Sequence, residues 1–305
     1  MSFATLKRAL QGISAINITP FAHDTLKVRE DLLRENIQFL KDHNMNVIVP
    51  NGNTGEFYSL TLEESHKVNS IVIDEVQGQC QVVAGVGYDE QTAINMAQSA
   101  EALGADGVMI HQPPHPYISG EGLVDYYGSI AQSVNIGVVL YLRQPLLSGQ
   151  EINQLKKYEN IVGVKHAYTD LQKFGELVKT FNDWDAVWVC GSAEAWAPFY
   201  YAAGAKGFTS GLVNVEPELS RNLLKALNDN DRDHVLDLWY KIKPFEDMRN
   251  GRNSSYNVSV VKEAMKLKGM NPGTVRPPIN ELTKDNKSEV NKILENWAST
   301  VSTRS

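Results

Sequence analysis

The chain has 305 residues, is 42% hydrophobic and 21% charged, and carries a formal net charge of −7. This is the composition of a globular protein, long enough to bury about three-quarters of the surface its unfolded chain exposes. The acidic balance, with no long basic run, argues against a nucleic-acid partner, and no run of about 18 apolar residues is present to span a membrane.

In chain order, the opening "MSFATLKRALQGI" is too short and too weakly apolar for a signal peptide and reads as a first amphipathic turn. Eight apolar, β-branched runs follow: "GISAINIT" at 12–19, "NVIVP" at 46–50, "QVVAGVG" at 81–87, "GVMIH" at 107–111, "IGVVLY" at 136–141, "IVGVK" at 161–165, "AVWVC" at 186–190 and "GFTS" at 207–210. Helix-period stretches lie between them. One spans 29–43. A second opens with the capping box Thr61 and Glu64, and a third closes near Gly104. Others fit 122–132, 149–158, 171–181 and 194–203.

Continuous apolar strands alternating with helices specify parallel strands buried on both faces. Eight units predict a (β/α)8 TIM barrel, an α/β fold. A doubly wound sheet would favour a glycine-rich phosphate loop, and neither GxGxxG nor GxxxxGK[ST] occurs. Beyond Glu218 only helical patterns continue, through 219–227, 232–242, 258–268 and 286–301. The expected division is a catalytic barrel over 1–228 and a C-terminal helical extension over 229–305. The polar segment "EDMRNGRNSSYN" at 246–257 reads as a linker or surface loop. Cys80 and Cys190 belong to no ligand-spaced cluster and read as buried thiols of a cytoplasmic protein.

In a barrel of this kind the active site lies at the C-terminal strand ends. Those ends present Thr19, the turn "NGNTGE" at 51–56, Gly87, His111, Tyr141, Lys165, Gly191 and the "TSG" of 209–211. A lysine amine is a poor nucleophile near neutrality, at a pKa of about 10.4. Burial disfavours the ammonium, and the freed amine can attack a ketone to form a Schiff base. The alternative for Lys165 is a side chain that reaches the rim or pairs with a carboxylate. Tyr141 is either a proton-relaying phenol or a tyrosine capping its strand. Thr54 and the backbone amides of its turn either hold a carboxylate or only shape the turn. His111, His115 and His166 lack metal-ligand spacing and read as packing or rim residues. No metal and no cofactor is expected.

"NGNTGEFYSLTLEE" at 51–64, Tyr141 and "GVK" at 163–165 resemble the dihydrodipicolinate synthase / N-acetylneuraminate lyase family, from "NITPF" at 17–21 to "VRPP" at 275–278. The resemblance implies a (β/α)8 barrel with a C-terminal helical extension, in a homotetramer or homodimer. It implies that Lys165 forms a Schiff base with pyruvate or another 2-oxo acid and that Tyr141 shuttles protons. By the same match Thr54, with Asn53 and Gly55 in its turn, binds the acid's carboxylate, while Gly191 and Thr209 line the pocket.

The chain departs from the synthases at three places. Asn53 replaces a threonine, Leu146 or Leu147 stands where an arginine follows the tyrosine, and Pro114 and His115 occupy the place of a tyrosine pair. "GNTGEFYSLT", the Tyr141–Arg143 spacing, "FTSGLVNVEPE" and "MRNGRNSSYNVSVVKEAM" are closer to the 5-dehydro-4-deoxyglucarate dehydratase branch. A dicarboxylate sugar acid needs a second anion site, which Arg143 can supply through a bidentate fork. The alternative for Arg143 is a surface ion pair. The expected activity is dehydration with decarboxylation of a deoxy-ketoglucarate. Pyruvate–aspartate semialdehyde condensation, retro-aldol cleavage of a sugar acid, and a non-catalytic keto-acid-binding barrel are the alternatives.

Overall fold

Eight short parallel strands pair in sequence order and close on themselves: β1 (Ile13–Ala15), β2 (Val47–Ile48), β3 (Gln81–Val86), β4 (Gly107–Ile110), β5 (Gly137–Leu142), β6 (Ile161–His166), β7 (Val187–Cys190) and β8 (Gly207–Ser210). The ring is sealed by the β1–β8 register, in which Ser14 faces Thr209. This computed structural model describes residues 3–299. Every strand residue except Gln81 is buried, as their unbroken apolar pattern requires. Each of the eight expected runs forms a strand. β1 is shorter than its run because residues beyond Ala15 turn toward the mouth, where the Thr19 hydroxyl donates to the Gly55 carbonyl at 2.7 Å.

The opening segment forms α1 (Ala4–Leu10), which plugs the N-terminal end of the barrel. Leu6 and Leu10 join Val47, Val83, Val139 and Val162 in the interior cluster. Each buried leucine contributes about 1.5–3 kcal/mol. The plug fits because strand-start residues lack side chains. A Cβ on Gly137 would sit 2.5 Å from a Leu6 methyl, and one on Gly207 would sit 2.1 Å from the Leu10 carbonyl oxygen.

Outside the barrel run α2 (Glu30–Asp42), α3 (Leu62–Val76), α4 (Glu90–Leu103), α5 (Gly120–Gln132), α6 (Gly149–Leu155), α7 (Leu171–Thr180), α8 (Ala193–Ala202) and α9 (Pro217–Asn228). The Thr61–Glu64 capping box is formed at the start of α3. Gly104, at a φ of 95° that favours glycine, ends α4. Then come α10 (Arg232–Ser254), α11 (Asn257–Leu267) and α12 (Lys284–Ser299). The expected end of the last helix at Val301 lies outside the described residues.

The segment 246–257 is an exposed turn only in its second half, over 252–255. Its first half continues α10, and the helix breaks at Gly251, Arg252 and Asn253, which leave helical φ/ψ, with Ser254 also left-handed. Its polarity misled because Glu246 and Arg249 are buried, facing the barrel mouth rather than bulk water. The extension also braces the turn 51–56. Lys262 of α11 donates to Glu56 at 2.6 Å and to the Thr19 and Thr274 carbonyls at 2.7 and 2.6 Å. Glu56 also accepts from the Arg276 amide at 3.0 Å. No helix among the described residues is long and apolar enough to cross a membrane.

Lys262→Met leaves the Glu56 carboxylate buried without its cation. Urea unfolding should show a loss of about 3–5 kcal/mol. A loss below about 1 kcal/mol would mean that this pair does not anchor the extension to the turn.

Candidate active site

Strand register sets the centre of the mouth. Tyr141 on β5 stands directly beside Lys165 on β6, which in turn faces Val189 on β7. The Lys165 ammonium nitrogen lies 4.0 Å from the centre of the Tyr141 ring and 3.7 Å from the Met109 sulfur. Lys165 is 4% exposed and has no carboxylate partner among the described residues. It neither reaches the rim nor forms an ion pair. Burial pulls its pKa down to about 7, Arg143 pulls in the same direction, and the Cys190 thiol opposes both. Gly191, just after β7, makes room for it: a Cβ there would come within 2.9 Å of Lys165 Cγ and 2.7 Å of Ala167 Cβ.

The Tyr141 hydroxyl accepts a hydrogen bond from the Asn53 amide nitrogen at 3.0 Å. Burial raises its pKa to about 12, so at neutral pH it is a phenol with a proton to give. His111 packs edge-on against Tyr141 at 5.6 Å and stacks on Phe57 at 4.1 Å. Its pKa falls to about 3 through burial, so the ring is neutral, and its Nε2 bonds the Asn51 carbonyl at 2.9 Å. His111 is therefore a packing residue that steadies the turn. His166 is buried with its Nδ1 2.8 Å from the Tyr200 hydroxyl, and His115 is exposed, accepting from the Tyr117 amide.

The turn 51–56 begins and ends in left-handed backbone, at Asn51 (φ 58°) and Glu56 (φ 60°). This brings Asn53 and Thr54 to the wall of a cavity of about 660 Å³, shared with Tyr141, Arg143, Lys165, Gly191 and Thr209. Among the described residues, the amides of Thr54 and Gly55 have no protein acceptor. Gly55 is the one expected site residue absent from the lining: a Cβ there would come 3.0 Å from the Asn17 carbonyl, so the position serves the tightness of the turn. Thr209 lines the wall with its hydroxyl 3.5 Å from the Cys190 carbonyl. Arg143 lies at the rim, and its guanidinium forms no ion pair with any described residue. Its backbone is fixed by Gln112, whose Oε1 accepts from the Arg143 and Gln144 amides at 2.9 Å each. No group of three or more His, Cys, Asp or Glu among the described residues is arranged to hold a metal ion.

Sequence reasoning missed the far wall, which comes from the C-terminal extension. Glu246, Arg249, Asn250, Ser254, Ser255 and Asn257 line the same cavity. Arg249 donates to Glu246 at 2.6 Å and to the Asn257 carbonyl and side-chain oxygens at 3.3 and 3.2 Å. Behind them Glu194 is fully buried, with Oε1 accepting from the Ser210 and Ser220 hydroxyls at 2.5 Å each. Burial, and then the neighbouring Glu246, push its carboxyl up. One signal was available: Glu246 and Arg249 stand three residues apart, on one helix face.

A closed eight-stranded barrel presents a lysine and a tyrosine, buried side by side, at its mouth, and sequence comparison places it in a family of lyases. Residues 9–297 match the model of the dihydrodipicolinate synthetase family, to which the chain belongs. It is 32% identical over 298 residues to a protein of Rhizobium rhizogenes named as a probable 5-dehydro-4-deoxyglucarate dehydratase, covering 95% of this chain and 97% of that one. It is 31% identical over 294 residues to a 4-hydroxy-tetrahydrodipicolinate synthase of Methanosphaerula palustris, covering 94% and 99%. Among solved structures, the dihydrodipicolinate synthase from Oceanobacillus iheyensis superposes with a TM-score of 0.95 at 41% identity, covering 98% of this chain and all of that one.

The depressed lysine has a direct readout. Amine labelling needs the unprotonated form, so the Lys165 labelling rate should rise through pH 7 and level off by about pH 9. Peptide mass spectrometry measures it. A rate still climbing above pH 10 would refute the depressed pKa.

Proposed function

We propose that the protein is a Schiff-base-forming lyase acting on a 2-oxo acid, with 5-dehydro-4-deoxyglucarate as its substrate. The observation that carries this reading is the buried amine of Lys165, without a carboxylate partner, 4.0 Å from the Tyr141 ring. Binding alone requires neither group.

The Lys165 amine attacks the ketone carbon. Tyr141 hands a proton to the carbinolamine oxygen, which leaves as water and yields the imine. A proton is then lost from the carbon beside the imine, and the hydroxyl on the next carbon departs as water with a proton. The distal carboxylate leaves as carbon dioxide, and its bonding electron pair is drawn through the conjugated chain to the imine. Reprotonation on carbon and addition of water free the product and the amine. Thr54, with the free amides of its turn, holds the carboxylate next to the ketone, and Arg143 holds the distal one before it is lost. Asn53 orients the Tyr141 hydroxyl.

A second reading, condensation of pyruvate with aspartate semialdehyde, is favoured by the 41% identity to the Oceanobacillus iheyensis dihydrodipicolinate synthase. The chain lacks that branch's arginine, since Leu146 or Leu147 occupies its place.

Borohydride reduction in the presence of each candidate 2-oxo acid, read by intact mass, should give one adduct that Lys165→Ala abolishes. An adduct that survives this change would overturn the Schiff-base assignment. Tyr141→Phe should lower kcat by about 10²-fold or more while the adduct still forms slowly. Arg143→Ala should raise KM for the dicarboxylate by about tenfold or more and leave half-maximal trapping of pyruvate nearly unchanged. Equal effects on both acids would remove Arg143 from the distal site. Turnover of pyruvate with aspartate semialdehyde, and none of the sugar acid, would establish the second reading.

A further inference from the structure

The cavity wall holds a buried cation, Arg249, that the substrate assignments above leave unused. It packs against Gly211, the residue after β8. A Cβ built on Gly211 would sit 2.6 Å from Arg249 Nη2 and 3.0 Å from the Thr54 hydroxyl oxygen. Two donors, one from the turn after β2 and one from α10, thus pack side by side against the bare Gly211 backbone, and a side chain there would displace them. Both residues line the cavity that contains Lys165.

The donors are available. A guanidinium has five N–H groups in a fixed fork. In Arg249, three hydrogen bonds run to protein: Nη1 to Glu246, Nε to the Asn257 carbonyl and Nη2 to the Asn257 side-chain oxygen. One N–H on each of Nη1 and Nη2 remains. The Thr54 hydroxyl donates to no described residue, and the Thr54 and Gly55 amides are also free. The guanidinium is only 3% exposed, and Glu246 and Asn257 hold it in place, so an anion meeting it would find a preorganised, desolvated donor. Gly211 itself has φ −98° and ψ −21°, which any L-residue adopts, so the backbone does not demand glycine here. The lack of a side chain lets the Arg249 guanidinium pack against the backbone beside Thr54.

We propose that Arg249, supplied by the C-terminal extension, is a substrate-binding residue that shares the carboxylate beside the ketone with Thr54. One carboxylate oxygen takes the Thr54 hydroxyl and turn amides, and the other takes the spare N–H of Arg249 Nη2. This rests on the 2-oxo-acid reading and adds to it the residue that selects an acid over a neutral ketone. The extension thereby completes the barrel's site.

Borohydride trapping by the full-length protein tests this with pyruvate and with pyruvamide, its uncharged analogue, across a concentration series. The wild type should trap pyruvate at far lower concentration. Arg249→Gln and Gly211→Ala should each raise the half-maximal pyruvate concentration by about tenfold or more, with pyruvamide changed by less than about twofold. Arg249→Gln leaves Glu246 buried without its cation and can compromise folding. Gly211→Ala keeps both charges while its methyl group displaces the guanidinium from the backbone, and Arg249→Lys, which keeps a cation beside Glu246 without the fork, should weaken pyruvate trapping alone in the same way. Unchanged pyruvate trapping in Gly211→Ala, or parallel weakening of both ketones, overturns the proposal. If the wild type traps neither ketone, the Schiff-base reading itself fails, and this assignment falls with it.

Discussion

The structure depends on one constraint: an amine is held in a barrel mouth with no anion to neutralise it. Water would keep Lys165 protonated, and a carboxylate partner would do so even more firmly. Here the neighbours are the face of Tyr141, the Met109 thioether and the buried walls of β6 and β7. Desolvation then outweighs every other influence on the group. Other details of the mouth follow from this. Gly191 must be small for the lysine stem to pass, and the charge of Arg143 at the rim also favours the neutral amine.

A second layer keeps Tyr141 in register with the lysine. Asn53 reaches its hydroxyl from the turn 51–56, whose left-handed ends at Asn51 and Glu56 need support. Asn51 is held by its side-chain bonds to the Ser65 carbonyl and Asn69, and by His111 at its carbonyl. Glu56 is held by Lys262 from α11 and by the Arg276 backbone. The C-terminal extension is therefore continuous with the chemistry through a chain of buried hydrogen bonds. Its role is not limited to covering one side of the barrel.

The same extension forms the far wall of the cavity, and its polarity has a physical cause. Glu246 and Arg249 neutralise each other, and Glu194 behind them is pushed toward its uncharged form because a second buried carboxylate has no cation of its own.

The sequence by itself determined the barrel and the two residues at its centre. Eight apolar runs separated by helix-period stretches admit few other closed architectures, and strand ends identify the mouth without knowledge of any contact. Lys165 was legible because a cation at the end of a buried strand is anomalous locally. Arg249 and Glu246 were not, because on a polar stretch rich in Asn, Ser and Gly a buried pair and a solvated one look alike. Whether such a stretch meets water or a cavity depends on how α10 packs across the mouth, a contact between residues distant in the chain. Gly55 shows what packing adds: its motif placed it in the turn, and the approach of the Asn17 carbonyl gives the reason that the position carries no side chain. Local pattern encodes periodicity and anomaly. Only the tertiary structure could decide which polar groups share a desolvated space, because desolvation is set by neighbours that the sequence does not place side by side.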